Sequence, residues 1–314
     1  MLAYVFARFL QAIPVLVLAS IAVFLMLRLV PGDPAELLAG QDGTDEDVAR
    51  IREQLGLNDS LPEQYVSWLG DIFQGDLGVS FARGLPVSRM LRTAIPPTVE
   101  LAVAAYLVAV VVGIPLGILG GIRPRSGWDW TLSGFTLVAI GIPGFLLGII
   151  MLWVFSVRLD WFPVFGAVSI VDDPVESLRH LALPAVATGV GVAAVLARYT
   201  RTTIAEVMGN DYVRTARAKG LAESRVVVRH ALRNSMIPVV TVMALQVGGL
   251  LVGAVIVEQV FTRPGLGRLV VNAIQARDYL VVQSTLIILV TVFIGANLAA
   301  DIAYGFLDPR VRGR

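Results

Sequence analysis

Residues 210–238 read NDYVRTARAKGLAESRVVVRHALRNSMIP, a charged, glycine-punctuated island between two long apolar runs. Asp211, Arg214, Arg217, Lys219, Glu223, Arg225, Arg229 and Arg233 lie within it. An Arg, Lys or Asp at the centre of a bilayer costs about 2.5–3.5 kcal/mol, so this segment cannot sit in hydrocarbon. It must project into water from a chain whose flanks belong in the membrane. Asn210 or Asp211 can cap a helix that runs through Lys219, and Gly220 stands where a C′ glycine would end it. A second helix is predicted from 222 to about 234, ending near Pro238 as the next apolar run begins. Tyr212, Ala216 and Lys219 share one face, with Arg214 and Arg217 flanking it. A loop that supplied only charge would need neither caps nor a glycine hinge. The island reads as a docking element for a soluble partner, the plainer alternative being an ordinary basic loop.

Outward from the island the chain is apolar. Hydrophobic residues make up 56% of its 314 residues, charged residues 16%, and mean hydropathy is +0.76. That composition belongs to the membrane class. A net charge of +1 gives no support to a nucleic-acid partner. Cysteine is absent, which removes disulfides and thiolate chemistry. Six stretches approach or exceed the roughly 20 residues that span a bilayer: 9–27, 101–122, 130–157, 181–197, 234–257 and 279–300. None contains Asp, Glu, Lys or Arg. The fourth is short and is expected to continue as helix through Ala205, carrying Arg198 and Arg201 to the interface. The first reads as an anchor rather than a signal peptide, because its apolar run is long and no small-residue cleavage site follows.

Arginine placement orients the spans. With the N-terminus inside, inner segments carry 14 Lys and Arg and the short outer loops carry 5. Both termini and the island are therefore expected to be cytoplasmic. The domain reading is 1–30, N-terminus and first span; 31–98, an extracytoplasmic lobe; 99–305, a core of five spans with the island loop at about 206–235; and 306–314, a cytoplasmic tail. Thr44 can cap a helix with Asp47 three residues on, and Trp68, Phe73 and Leu77 suggest a small packed lobe on the outer face. Gly113, Gly117 and Gly121 recur every four residues in the second span, and Gly249 and Gly253 do so in the fifth, as ridges that let backbones approach. Pro14, Pro115 and Pro143 interrupt spans, and Gly141, Gly144 and Gly148 surround the last. Kinked, glycine-lined helices suit a transport path, although each glycine alone also fits ordinary packing.

Motifs for chemistry are missing. No GxxxxGK[ST] occurs and no Gly-Lys pair exists, so the chain has no phosphate-cradling loop. His180 and His230 are the two histidines, on opposite sides of the membrane, and HExxH does not occur. Neither a metal site nor an enzyme is expected. Glu100, Glu258 and Asp301 border apolar spans and are candidates for a pathway or gate, weighed against simple interfacial anchoring.

The island resembles the cytoplasmic EAA loop of permease subunits in binding-protein-dependent ABC importers. Only Ala216 and Gly220 match the general pattern, because Arg214-Thr215-Ala216 stands where Glu-Ala-Ala would. YVRTARAKGL followed by RHALRN is similar to the dipeptide/oligopeptide branch, through Thr215, Ala216, Ala218, Lys219, Gly220, His230, Ala231, Leu232, Arg233 and Asn234. RLVPGDP at 28–34, LGL at 55–57, GDLGVS at 75–80, PTVEL at 97–101, EQVFTRPGLGRL at 258–269 and DPR at 308–310 carry the same likeness. It implies an all-α polytopic membrane protein of the type I importer permease kind, with six transmembrane helices and a helix-turn-helix coupling loop, in the bacterial cytoplasmic membrane. It implies ATPase coupling through Arg214, Thr215, Ala216, Arg217, Lys219, Gly220, His230 and Arg233. It further implies a second homologous permease, two cytoplasmic ABC ATPases that bind ATP and Mg, an extracytoplasmic substrate-binding protein, and no cofactor in this chain. Short peptides are the implied solute; related permeases carry nickel chelates, glutathione or haem. An ion-coupled secondary transporter using Glu100, Glu258 or Asp301 is the competing class, and a membrane scaffold that recruits a signalling protein is a third.

Overall fold

The computed structural model describes residues 2–28, 34–39, 43–54 and 56–307. Motif residues 29–33 and 308–310, Leu55 and the tail from 308 lie outside them. Thirteen helices follow in order: α1 (Leu2–Arg28), α2 (Pro34–Ala39), α3 (Asp45–Gln54), α4 (Leu61–Gln74), α5 (Val87–Ile122), α6 (Gly127–Gly141), α7 (Gly144–Met151), α8 (Pro174–Met208), α9 (Asp211–Ala218), α10 (Glu223–Arg225), α11 (Arg233–Val260), α12 (Leu266–Gln275) and α13 (Tyr279–Leu307). Two π-helical stretches, Leu152–Arg158 and Val226–Leu232, continue α7 and α10 respectively. Among the described residues five helices are long and apolar enough to cross a membrane, and a sixth crossing arises if α6 and the helix from Gly144 to Arg158 count as one.

The centre of the bundle is the pairing of α5 with α8. At 36 and 35 residues they reach ~54 Å, well beyond a ~30 Å hydrocarbon core. The expected glycine ridge of α5 makes this pairing possible. A Cβ on Gly113 would lie 2.5 Å from the Ala193 carbonyl oxygen, one on Gly117 2.5 Å from Thr200 Cβ, and one on Gly121 2.7 Å from Ile204 Cβ. The fifth-span expectation is corrected in register. A Cβ on Gly249 would meet nothing within 4 Å and one on Gly253 only ordinary contact, whereas Gly248 sits hard against Phe293 of α13.

The third apolar run is not one straight helix. It breaks at Ile142 and Pro143, and its halves diverge by 99°. Proline at position 143 has no N–H to continue the ladder, and the residue before it is pushed to extended backbone; Ile142 has φ −88°, ψ 120°. Pro238 does the opposite of what was expected. It lies inside α11, and helical backbone runs from Glu223 to Val260 without a stop. The second island helix and the fifth span are one rod.

Between α1 and α5, Thr44 and Asp47 bond reciprocally through backbone N–H and side-chain oxygen, as do Ser60 and Glu63. The hydroxyl and N–H of Thr44 hold the Asp47 carboxyl below its ordinary range. Trp68, Phe73 and Leu77 each have different surroundings. Tyr65 and Trp68 pack on Phe24 of α1, Phe73 is 83% exposed, and Leu77 joins a cluster formed by α5, α12 and α13. α1 itself leans on α13, where Tyr4 donates to the Asp301 carbonyl.

Candidate functional site

The island folds into a knob with one apolar face. Val213 and Ala216 of α9 and Val226, Val227 and Ala231 beyond the turn bury against Ile204 and Met208 of α8, with Ile118 and Ile122 of α5 alongside. The hinge is Gly220, whose φ of +76° is the left-handed region. Its N–H donates to the Arg217 carbonyl and the Leu221 N–H to that of Ala216, closing the end of α9. Arg217 then grips Glu223 across the turn with two bonds, 3.1 and 2.6 Å. That guanidinium holds the Glu223 carboxyl below its ordinary value. Asn234 donates to the Tyr212 hydroxyl at 3.0 Å, tying α9 to the start of α11.

The opposite face is charged and open. Arg214, Thr215, Arg217, Lys219, Gly220, Arg225, Arg229 and Arg233 are exposed, and Val228 among them is 63% exposed. Ala216 is buried beneath this face rather than sharing it with Tyr212 and Lys219. Its small side chain permits α9 to lie close to α8. His230 falls in the π-helical stretch, and its side chain lies outside those described. Sequence reading missed Val213, Val226 and Val227 as anchors, although their apolar spacing within a basic segment was the available signal.

A second constellation forms at the end of the core away from the knob. Glu258 is 0% exposed. Its carboxylate accepts from the Thr98 hydroxyl and from the Gly267 N–H at 2.7 Å, while Thr98 accepts from the Leu266 N–H at 2.8 Å. Arg263, equally buried, donates to the Pro97 carbonyl at 3.2 Å and to Glu100 at 2.8 Å. Thus α5, α11 and α12 meet in one polar knot. It also explains the PGLGRL run: a Cβ on Gly265 would overlap the Glu258 carboxylate, and one on Gly267 would strike the Val255 backbone. Glu100 and Glu258 come together here through Arg263 and Thr98. Asp301 does not join them; it lies at the other end of the bundle, 3.5 Å from Arg8 of α1. Thr98 and Arg263 were missed because nothing in local spacing ties residue 98 to residue 258.

A third pair was also missed. Arg201 of α8 and Asp129 of α6 form a fork of 2.8 and 2.7 Å, with the Arg125 N–H on the same carboxylate at 2.8 Å. Midway along the bundle a cleft of about 450 Å³ opens at the broken span, lined by Pro143, Gly144, Thr188, Gln246 and Gly253. Among the described residues no group of His, Cys, Asp or Glu could hold a metal ion.

An all-helical bundle with a broken span, a cleft beside the break and a structured polar knob at one end defines a polytopic membrane permease. Comparison with known proteins gives the family. Residues 113–313 match the model of the binding-protein-dependent transport system inner membrane component, and residues 1–102 match the N-terminal model of such membrane components. The chain belongs to this family and is a permease subunit of a binding-protein-dependent ABC importer, a multi-pass inner-membrane protein. It is 39% identical over 309 residues to the Probable peptide ABC transporter permease protein y4tP of Sinorhizobium fredii, covering 98% of this chain and 99% of that protein. It is 42% identical over 314 residues to the glutathione transport system permease protein GsiC of Salmonella paratyphi A, covering 99% of each. An inward-facing structure of the MetNI methionine ABC transporter aligns with a TM-score of 0.57 at 19% identity, over 70% of this chain and 96% of that one. That likeness concerns the fold alone. The family membership favours the importer over the ion-coupled and scaffold alternatives.

Proposed function

We propose that this permease forms half of a translocation pathway for short peptides, completed by a second homologous permease and supplied by an extracytoplasmic binding protein. Two cytoplasmic ABC ATPases bind and hydrolyse ATP with Mg, and they grip the knob formed by α9 and the start of the α10–α11 rod. The chain itself holds no nucleotide or cofactor. Both termini and the knob face the cytoplasm, in keeping with the arginine bias of the inner segments. The observation that carries the reading is the two-faced knob. Its apolar side is fastened to α8 and α5, the longest helices of the bundle, and its charged side is open to a partner. A push on that side therefore moves rods that line the bundle core, rather than bending a loose loop. Arg214, Thr215, Arg217, Lys219, Gly220, His230 and Arg233 are assigned to the coupling surface, with Ala216 as its seat. The cleft at the Pro143 break is the candidate path, and Glu100, Glu258 and Arg263 brace its outer end.

Peptide is favoured as solute by the relative named a peptide permease, and glutathione by the relatives named for it, itself a tripeptide in chemistry. The natural chain has no cysteine, so a single Lys219→Cys offers a clean probe. Crosslinking in the assembled complex is expected to join position 219 to an ATPase subunit, with a yield that changes when ATP is added. A knob that crosslinks to no ATPase under any nucleotide condition would overturn the coupling assignment. Uptake of labelled di- and tripeptides by proteoliposomes containing the full complex tests the solute.

A further inference from the structure

Resting on that reading, we propose that the outer mouth carries a carboxylate-binding cleft, built by Arg83, Arg89 and Arg268, which receives the acidic group of the small solute before it enters the bundle. The cleft is about 360 Å³, within the roughly 300–1,000 Å³ of small-molecule sites and unlike a flat docking face. One wall is the segment from Arg83 into the first turns of α5; the other is the turn at Pro264 and Gly265 and the first turns of α12. Thr93 and Asn272 add neutral polar groups, and no carboxylate lines the space.

Charge balance points to a missing anion. Among the described residues neither the Arg83 nor the Arg89 guanidinium has a hydrogen-bond or ion-pair partner. Arg268 places Nη1 on the Thr262 carbonyl at 2.7 Å, a neutral acceptor that leaves its charge uncompensated. Other arginines on that side do have carboxylate partners, among them Arg263 with Glu100, Arg179 with Glu176 and Arg50 with Asp47. Three guanidiniums around one concavity repel one another until an anion enters, and planar forks fit a carboxylate two bonds at a time. The cleft also adjoins the polar knot. Gly265 lies in its wall and against Glu258, so an anion held there touches the same turn that Glu258 and Thr98 pin to α5 and α11. A peptide C-terminus supplies the required group, and so does the free acid of any small solute that the family's binding proteins deliver.

The test is equilibrium binding of a labelled tripeptide, as free acid and as C-terminal amide, to the purified permease–ATPase complex without the binding protein. Arg83→Gln with Arg89→Gln is expected to weaken the free acid by about tenfold or more, as expected for loss of charge-assisted bonds, and to leave the amide unchanged. Arg92→Gln, exposed and outside the cleft, serves as control and should change neither. Equal affinity of acid and amide for the wild-type complex, or an equal shift of both in the variant, overturns the proposal. So does a variant that loses affinity for the solute-free binding protein while solute binding is untouched, which would make the cleft a docking surface. Wild-type proteoliposomes that take up no peptide with ATP would instead overturn the solute assignment, and the acid–amide comparison would still report on the cleft.

Discussion

Gly220 is the residue on which the knob turns. Its φ of +76° is open to glycine, and a Cβ there would meet nothing within 4 Å, so the penalty for substitution is backbone strain rather than collision. Gly220→Ala is expected to cost about 1 kcal/mol and to loosen the turn without unfolding the bundle; faster amide exchange at residues 219–223 would reveal it. The adjacent Arg217–Glu223 fork is half exposed, so it contributes about 0.2–1 kcal/mol after solvent screening. Because Glu223 is depressed below its ordinary value, that contribution is complete at neutral pH. It is lost only as pH falls through and below the usual glutamate range. Protection factors at 221–223, taken relative to the intrinsic exchange rate at each pH, should fall there and not between pH 6 and 8; a fall near neutrality would contradict the assignment. Glu258 behaves differently because it is fully buried and serves Thr98 and Gly267 at once. Glu258→Ala strands the Gly267 N–H and leaves the Thr98 hydroxyl only its 3.3 Å bond to the Ala94 carbonyl, while Arg263 keeps Glu100. The expected loss is about 2–4 kcal/mol, measured as a lower unfolding temperature of the detergent-solubilised protein.

At the scale of elements, the α5–α8 seam and the break at Pro143 decide how the spans meet. The seam depends on backbone contact. A Cβ at Gly117 would lie 2.5 Å from Thr200 Cβ and 2.6 Å from the Ala197 carbonyl, so Gly117→Ala must force two long rods apart, at about 1–3 kcal/mol. Gly249→Ala, on a helix face with nothing within 4 Å, should be neutral or slightly stabilising. Thermal unfolding of the two variants side by side checks the pair, and equal effects would contradict the seam. The rule that small residues mark helix contacts predicted both glycines alike; only the packing separated them. The same holds for the prolines. Pro143 breaks its span where Gly141 and Gly144 flank it, whereas Pro238 is absorbed in a helix whose upstream turn is π-helical and which packs on α8 and α13.

For the whole molecule, the knob and the outer knot sit at opposite ends of the continuous rod from Glu223 to Val260, which carries Val226 near one end and Glu258 near the other. Val226→Asp would put a charge into the fully buried seat of the knob and should detach it from α8, since an unpaired buried charge costs several kcal/mol. The expected result is a bundle that still extracts and folds but no longer co-purifies with its ATPases; retained ATPases would argue that the charged face acts without its seat. The apolar runs that become spans and the placement of the turn at Gly220 were legible along the chain, because hydrocarbon excludes charge and glycine alone enters the left-handed region freely. Those constraints are local, each satisfied within a few residues of sequence. The 99° break, the continuity of helix through Pro238, and the meeting of Thr98 with Glu258 and of Asp129 with Arg201 were settled only in three dimensions. The two meetings join residues separated by 160 and 72 positions, and whether a buried ionisable side chain finds its partner depends on how rods pack, which no periodicity records.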